Sequence, residues 1–339
     1  MRPVPPPSRR IVHALALLLP AFLWTAAPAA AEGLEDLIRA VVGVQAVVPS
    51  DARTAETLGT ERIGSGIFID DKGHVLTIGY LILEADRVEI EGPNGEKALA
   101  TVVGYDHNTG FGLLRATKTF GIKPVRLGDS SALAEGKKAV AVSYGGPRPI
   151  MPVIVVSRRD FAGYWEYLLE DAIFTSPPHL HHSGAALFGE DGGLLGIGSL
   201  ILANAFDGDP RLPGNMFVPV DALKPILADL IEKGRSSRSP QPWVGVYTNE
   251  AMGRLFITRT AAGGPAEKAG LKPGDIIMGV GGKRVKDQAD FLRKMWGQGD
   301  AGIPIPLDIL RLQSESPNIE TIVVPSLDRS TWLKVKRGL

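Results

Sequence analysis

A serine followed by small residues is the feature of this sequence that points most directly to chemistry. Ser183 begins the run SGAA, and a turn and a short apolar segment follow it. A nucleophilic serine is presented in such a setting, and acyl transfer then needs a base for the hydroxyl proton, an acid that orients the base, and N–H donors for the oxyanion. Three histidines, His179, His181 and His182, stand just before Ser183. Ser183 is therefore the first candidate catalytic residue.

The same histidines are also candidate metal ligands, because imidazole nitrogens bind first-row metals well. The segment from His179 to His182 is nearly contiguous, however, and the sequence shows no carboxylate or second element that would complete a coordination shell there. The sequence therefore predicts no metal site and no cofactor. Metal binding at this histidine loop remains an alternative.

The composition indicates a globular, turn-rich and mainly β protein of two domains. The chain has 339 residues, with 37 Lys+Arg against 37 Asp+Glu, and it contains 40 Gly and 26 Pro. This balance of charge gives no general attraction to nucleic acid or to an anionic membrane. Cysteine is absent, which excludes disulfides, thiol catalysis and cysteine-based metal sites.

The N-terminus predicts export. Three arginines fall within the first ten residues, the apolar run IVHALALLLPAFLW follows, and a motif of small residues ends at Ala31. This order is typical of a signal peptide, and cleavage is expected before Glu32. An uncleaved membrane anchor is the alternative. The mature protein is expected in the periplasm or cell envelope, with no membrane span after cleavage.

Short strand-like segments separated by Gly, Asp and Asn turns fill most of the chain, which favours barrels or sandwiches. Two stretches have helical spacing. The first should begin at Asp221 as its cap and end at Gly234, and the second is DQADFLRKMW, whose apolar face carries Phe291 and Leu292. The polar stretch RSSRSPQP between them is typical of a linker.

Two stretches resemble the HtrA/Deg family: GSGIFIDDKGHVLT (Gly64–Thr77) and GGPAEKAGLKPGDIIMGVGGKRVKDQADFLRKM (Gly263–Met295). The resemblance covers nearly the whole mature chain. It implies a mainly β fold, with a chymotrypsin/trypsin-like double β-barrel followed by an α+β PDZ domain. The implied divisions are a signal peptide (1–31), an HtrA-type protease-fold domain (32–235), a linker (236–241), a PDZ domain (242–329) and a C-terminal tail (330–339).

The same resemblance indicates that the catalytic triad is degenerate. Tyr80 stands at the family's base position, Gly110 stands at the acid position, and Ser183 retains the nucleophile position. A phenol is protonated at neutral pH and cannot take the proton of a serine hydroxyl, and glycine has no side chain to orient a base. His181 also replaces the glycine that the family uses beside the oxyanion hole. These changes predict a pseudoprotease, and an active serine endopeptidase with an atypical site built on Ser183 is the alternative.

The PDZ resemblance predicts a peptide site. PDZ domains add a peptide as a strand and hold its terminal carboxylate on backbone N–H groups. The implied carboxylate loop is Trp243-Val244-Gly245-Val246, although this stretch could instead be an ordinary buried edge strand. The expected walls of the apolar pocket are Leu255, Phe256, Ile257, Phe291 and Leu292.

The resemblance and the lost triad together predict a protein-binding scaffold or quality-control factor. Its expected partners are peptide C-termini or unfolded protein segments, with no nucleic acid. The resemblance also implies a homo-oligomer, which in this family is a trimer.

Overall fold

The computed structural model describes residues 28–206, 211–312 and 318–333 of the chain, with side chains described from Gly33 onward. The signal-peptide prediction lies outside these residues, apart from the first turn of helix α1 (Pro28–Ala40). Across the described ranges, no helix combines the length and apolarity that crossing a bilayer requires.

The first domain begins with a closed six-stranded barrel. Its strands run in the order β1-β2-β3-β6-β5-β4 around the barrel. Two short elements, helix α2 (Ala55–Leu58) and a 3-10 turn (Gly79–Leu81), lie in its connections. The strands are β1 (Val41–Val47), β2 (Glu61–Phe68), β3 (His74–Ile78), β4 (Arg87–Glu91), β5 (Lys97–Tyr105) and β6 (Phe111–Ala116).

A second closed barrel completes the first domain, in the order β10-β11-β12-β9-β8-β7. The two predicted barrels are thus confirmed. Strands β8 and β9 form a long hairpin whose turn covers residues 164–166. The strands are β7 (Lys138–Val142), β8 (Ile150–Gly163), β9 (Tyr167–Ser176), β10 (Ala186–Phe188), β11 (Leu194–Leu202) and β12 (Gly214–Pro219).

The helix that closes this domain is shorter than the sequence predicts. Helix α3 (Leu227–Lys233) begins six residues after Asp221, although it ends at Gly234 as expected, with φ +71°. The preceding residues form 3-10-type turns, because Pro225 has no N–H to donate and restricts the residue before it. Asp221 does not cap the helix, and its carboxylate accepts instead from Ser131 N.

The second domain is a sheet of order β14-β15-β16-β18-β19, in which β14 is an edge strand, packed with helix α5. Gly281 and Gly282 form the tight turn between β16 and β17, with positive φ at both residues. The strands are β13 (Pro242–Trp243), β14 (Val246–Ala251), β15 (Arg254–Thr260), β16 (Ile276–Val280), β17 (Lys283–Arg284), β18 (Pro304–Leu310), β19 (Ile319–Pro325) and β20 (Leu327–Asp328). The helices are α4 (Pro265–Lys268), α5 (Gln288–Trp296) and α6 (Arg329–Trp332).

The hydrophobic core of the second domain extends to the β8–β9 hairpin. Ala162 of β8 and Leu168 of β9 pack against the buried cluster that contains Phe291 and Leu292. Burial of apolar surface stabilises a packed contact by about 25 cal/mol per Å². The two domains are therefore held together here by apolar packing as well as by hydrogen bonds. The turn of the hairpin is held at the edge of the second sheet.

Candidate functional site

The loop that carries Ser183 is fixed against the first barrel. Ser65 N donates to Ser183 O over 2.8 Å, and Gly184 N donates to Gly198 O over 2.9 Å. Gly184 has φ +74°, and a Cβ there would lie 1.9 Å from Ser65 O. The backbone beside the serine therefore has room only for glycine, and Ser183 sits where strands of the two barrels meet.

Tyr80 occupies the place of a base beside Ser183. The 3-10 turn after β3 carries Tyr80, and the Arg62 guanidinium holds its backbone by donating to Tyr80 O over 2.8 Å. Tyr80 Oη lies 2.8 Å from both Ser183 Oγ and Ser199 O. The carbonyl can only accept, so when the single phenol proton goes to Ser199, the Ser183 hydroxyl donates to the phenol oxygen.

The acidity of Tyr80 opposes its use as a base. Burial raises the pKa of the phenol to about 12, while the hydrogen bond from Ser183 acts in the lowering direction. At pH 7 a group with that pKa is ionised in roughly one molecule in 10⁵. Within the described residues, Ser183 Oγ has no hydrogen bond to any side chain except Tyr80. The serine therefore has no partner that accepts its proton at neutral pH.

Gly110 lies next to Tyr80 through the backbone but supplies no carboxylate. Gly79 N donates to Gly110 O over 2.7 Å, and Gly110 adopts φ +82°. Tyr167 Oη donates to the neighbouring Thr109 O over 2.7 Å. The structure thus brings Tyr80, Gly110 and Ser183 together, the residues that the resemblance assigns to the base, acid and nucleophile positions.

The histidines before Ser183 form an internal network. His181 N donates to His179 Nδ1 over 3.1 Å, so His179 carries its proton on Nε2, within 3.3 Å of Ser143 Oγ. Burial lowers the pKa of His179, which favours this neutral form. The N–H two residues before Ser183 is the expected oxyanion donor, and here a ring nitrogen of the same loop accepts it.

The other histidines lie elsewhere. His74 Nδ1 is 2.5 Å from a carboxylate oxygen of Asp70, and burial holds the pKa of His107 well below its ordinary value. No group of three or more His, Asp or Glu suited to a metal ion is present in the part of the chain that the structure describes.

A cleft of about 260 Å³ opens beside Ser183. Ile63 and Leu180 line it and leave 71% and 73% of their surfaces exposed. Tyr144 also borders the cleft, and its hydroxyl donates to the Glu91 carboxylate over 3.0 Å. Space for an extended chain segment thus remains next to the serine.

The second candidate site is a nest of backbone N–H groups at the start of β14. Val244, Gly245 and Val246 all point their N–H groups at one carboxylate, that of Glu166 in the β8–β9 turn, over 3.1, 2.7 and 2.7 Å. Gly245 has φ +83°, the left-handed conformation that lets successive N–H groups converge on one anion. This loop can therefore hold a carboxylate, and it holds one from its own chain.

Comparisons with known proteins agree with this architecture. Residues 64–197 match the family described as Trypsin-like peptidase domain, and residues 242–323 match the family described as PDZ domain. The chain resembles the HtrA/Deg family in both domains.

Curated relatives and solved structures carry the same resemblance. Periplasmic serine endoprotease DegP of Escherichia coli (strain K12) is 27% identical over 267 residues, which cover 74% of this chain and 54% of DegP. Serine protease Do-like HtrA of Bacillus subtilis (strain 168) is 25% identical over 319 residues, which cover 82% of this chain and 69% of that protein. The chain thus spans about half the length of DegP.

The structure titled "HtrA-type protease AlgW with tripeptide" aligns with a TM-score of 0.52 at 19% identity, covering 90% of this chain and 97% of that one. The serine endoprotease from Yersinia pestis aligns with a TM-score of 0.50 at 21% identity, covering 88% and 98%. These structures show the shared fold.

Four of the five residues predicted as walls of a peptide pocket lie in the core of the second domain. Leu255, Ile257, Phe291 and Leu292 are in the core of the domain and at most 2% exposed, and Phe256 is half-buried. Ala162 and Leu168 of the β8–β9 hairpin pack against this cluster, so it is covered in this structure, and its part in a peptide pocket stays a prediction. Of the predicted loop, Trp243 does not join the nest; it pairs in β13 and its ring packs on that of Trp332.

Sequence reasoning missed two residues of these sites. Glu166 stands 78 positions before Val244 in the chain, and a lone glutamate in the run GYWEY carries no signal of its role. His179 is a candidate from the sequence only as a substitute base or a metal ligand, whereas its ring accepts the His181 N–H. In both cases the function of the side chain comes from a backbone N–H that only the folded chain brings to it.

Proposed function

We propose that this chain is an exported protein-binding member of the HtrA/Deg type, with a serine site that does not turn over substrate and a PDZ domain that binds peptide C-termini. Its role would be that of a scaffold or quality-control factor for peptide ends or unfolded segments. The observation that carries the proposal is the contact of Tyr80 Oη with Ser183 Oγ at 2.8 Å.

Three features of the serine site support the inactive state. The pKa of Tyr80, about 12, leaves the phenol protonated at neutral pH. Gly110 offers no carboxylate, and His181 N is already bonded to His179. Because base, orienting acid and oxyanion donor act as a unit, loss of the base alone lowers turnover by about 10⁶-fold.

The nest at the start of β14 supports peptide binding. Three N–H groups that converge on one carboxylate are the geometry that captures a peptide C-terminus in strand addition. The AlgW structure, by its title, holds a tripeptide, and the edge strand β14 offers the strand to which a peptide would add.

An active serine endopeptidase is the second candidate. The relatives bear the names serine endoprotease and serine protease, and the cleft of about 260 Å³ beside Ser183 leaves room for a substrate segment. Activity would need another group, or a rearranged loop, to accept the hydroxyl proton of Ser183.

Activity labelling separates the two candidates. The purified chain and its Ser183→Ala variant are incubated with a fluorophosphonate probe and with unfolded casein across pH 6 to 9. The proposal expects no labelling and no cleavage by either protein. Labelling of the parent chain that disappears in Ser183→Ala would establish the endopeptidase.

Export and assembly are tested on material from cells. Relatives named periplasmic support an exported protein, and cleavage before Glu32 is the expected processing. N-terminal sequencing of envelope protein should begin at Glu32, whereas an intact Met1 on membranes would mean an anchor. Light scattering of the same protein tests the homo-oligomer that the family suggests, a trimer.

A further inference from the structure

The β8–β9 turn lies along the edge strand β14 of the second domain. Thr248 N donates to Tyr164 O over 3.0 Å, while Val246 N reaches the Glu166 carboxylate. Tyr164 contacts Thr248 and Glu166 contacts Val246, so the contact position on β14 goes back by two residues as the turn advances by two. The turn therefore runs antiparallel to the edge strand, in the manner of an added strand.

The helix side of the groove is also in contact with the hairpin. Gln288 at the start of α5 donates to Gly163 O over 3.3 Å and accepts from Thr248 Oγ1 over 2.6 Å. Arg293 of the same helix forms an ion pair with Asp160 of β8. The hairpin is thus bound by both walls of the groove, β14 and α5.

Helix α6 closes the contact from the C-terminal side. Arg329 donates to Trp165 O over 3.2 Å, and its charge acts on the Glu166 carboxylate. The ring of Trp165 stacks on that of Tyr167, with ring centroids 5.6 Å apart and planes 13° from parallel. Glu166 is 6% exposed in this arrangement, so no free carboxylate can reach the nest while the turn is in place.

We infer that Glu166 is an internal ligand of the carboxylate nest, and that the β8–β9 turn closes the peptide groove until a C-terminal peptide displaces it. This inference rests on the proposed peptide-binding function of the same groove. The terminal carboxylate of an incoming peptide takes the position of the Glu166 carboxylate, and the residue two before it takes the position of Tyr164. Opening the groove moves the hairpin away from β14 and α5 and separates the two domains at this contact.

Hydrogen exchange in the peptide-free chain tests the closure directly. Amides 244–246 and 248 should be protected in the parent chain, and Glu166→Ala and Glu166→Gln should raise their exchange about tenfold or more. The control is Glu170→Ala, which changes an exposed glutamate of β9 and should leave these amides unchanged. Two Glu166 variants are used so that a folding defect in one does not decide the result. Unchanged protection in both variants would overturn the closure.

Peptide titration tests the competition. The probe is acetyl-Ala-Gly-Tyr-Trp-Val, which copies residues 162–165 and ends in a free carboxylate, with the amidated peptide as its control. Glu166→Ala should bind the free acid about tenfold or more tightly than the parent chain, because the competent open state is no longer depleted, while Glu170→Ala should match the parent. Equal binding of the free acid by the parent and Glu166→Ala would overturn the competition.

The two measurements also separate this inference from the proposed function. Loss of amide protection in Glu166→Ala without detectable binding of either peptide by any variant would uphold the closure and refute the peptide site. Binding of the free acid with no dependence on Glu166 and unchanged exchange would uphold the peptide site and refute the closure.

Discussion

The stability of the closed interface should fall as the pH rises through neutrality, because of Glu166. Burial raises the pKa of this carboxyl to about 7 from 4.5, with the three N–H groups and the Arg329 charge acting in the lowering direction. That change disfavours the ionised form by about 3 kcal/mol relative to the protonated form. Glu166 lines a cavity of about 600 Å³ together with His107, Asp106 and Asp328. His107 stays neutral through this range because burial holds its pKa low.

The direction of this pH dependence follows from the linkage between proton binding and folding. A group whose pKa is higher in the folded than in the unfolded state contributes stability that is fully present below pH 4.5 and is lost as the pH rises through about 7. Glu166→Gln removes this titration. The free energy of unfolding of the parent chain, minus that of Glu166→Gln, should therefore fall by about 3 kcal/mol between pH 4.5 and 8.5.

Urea denaturation followed by tryptophan fluorescence measures this difference, since Arg329 donates to Trp165 O and Trp243 lines the same cavity as Glu166. Glu170→Gln, on the exposed side of β9, serves as the control and should show a difference that does not change with pH. A difference for Glu166→Gln that rises with pH would show that the N–H donors and Arg329 outweigh burial. A flat difference would refute a shifted carboxyl altogether.

Three substitutions test the serine site. Gly184→Ala should lower the free energy of unfolding by at least about 3 kcal/mol, since its Cβ would lie 1.9 Å from Ser65 O. The control Gly121→Ala has open space at φ +65° and should lower it by about 1 kcal/mol, and thermal melts compare the two variants. Tyr80→Phe should cost about 1–2 kcal/mol in denaturation, because Ser199 O loses its donor, and should leave fluorophosphonate labelling at zero. Arg62→Lys should cost about 3 kcal/mol, since the guanidinium donates to four oxygens around the Tyr80 turn, and an unchanged melting temperature would contradict this.

The serine site could be predicted from the sequence because its parts lie in ordered motifs. The positions of Tyr80, Gly110 and Ser183 follow from their distance to recognisable strands, and the structure places them together. The change from glycine to His181 beside the predicted oxyanion hole is visible in the sequence, but the hydrogen bond between His181 N and His179 Nδ1 could not be predicted, since it depends on the path of the loop.

The peptide site could be predicted only in part. The PDZ resemblance predicts a carboxylate loop at Trp243–Val246, and Val244, Gly245 and Val246 direct their N–H groups at one carboxylate, but that carboxylate belongs to Glu166 of the first domain. Contacts between residues far apart in sequence depend on the packing of whole elements, here the β8–β9 hairpin against β14. The prediction that α3 begins at Asp221 was wrong for a local reason, because Pro225 favours turns over a regular helix.

A ligand that belongs to the same chain raises the concentration at which any separate peptide could bind the same groove. The β8–β9 turn is tethered beside the groove, so it competes at an effective concentration on the order of millimolar, however dilute the protein is. Scattered C-termini at micromolar levels would then find the groove closed, and the ends of proteins that accumulate locally, or that are themselves tethered nearby, would open it. Under the proposed closure, peptide binding by this domain would depend on how many C-termini are held close to the groove.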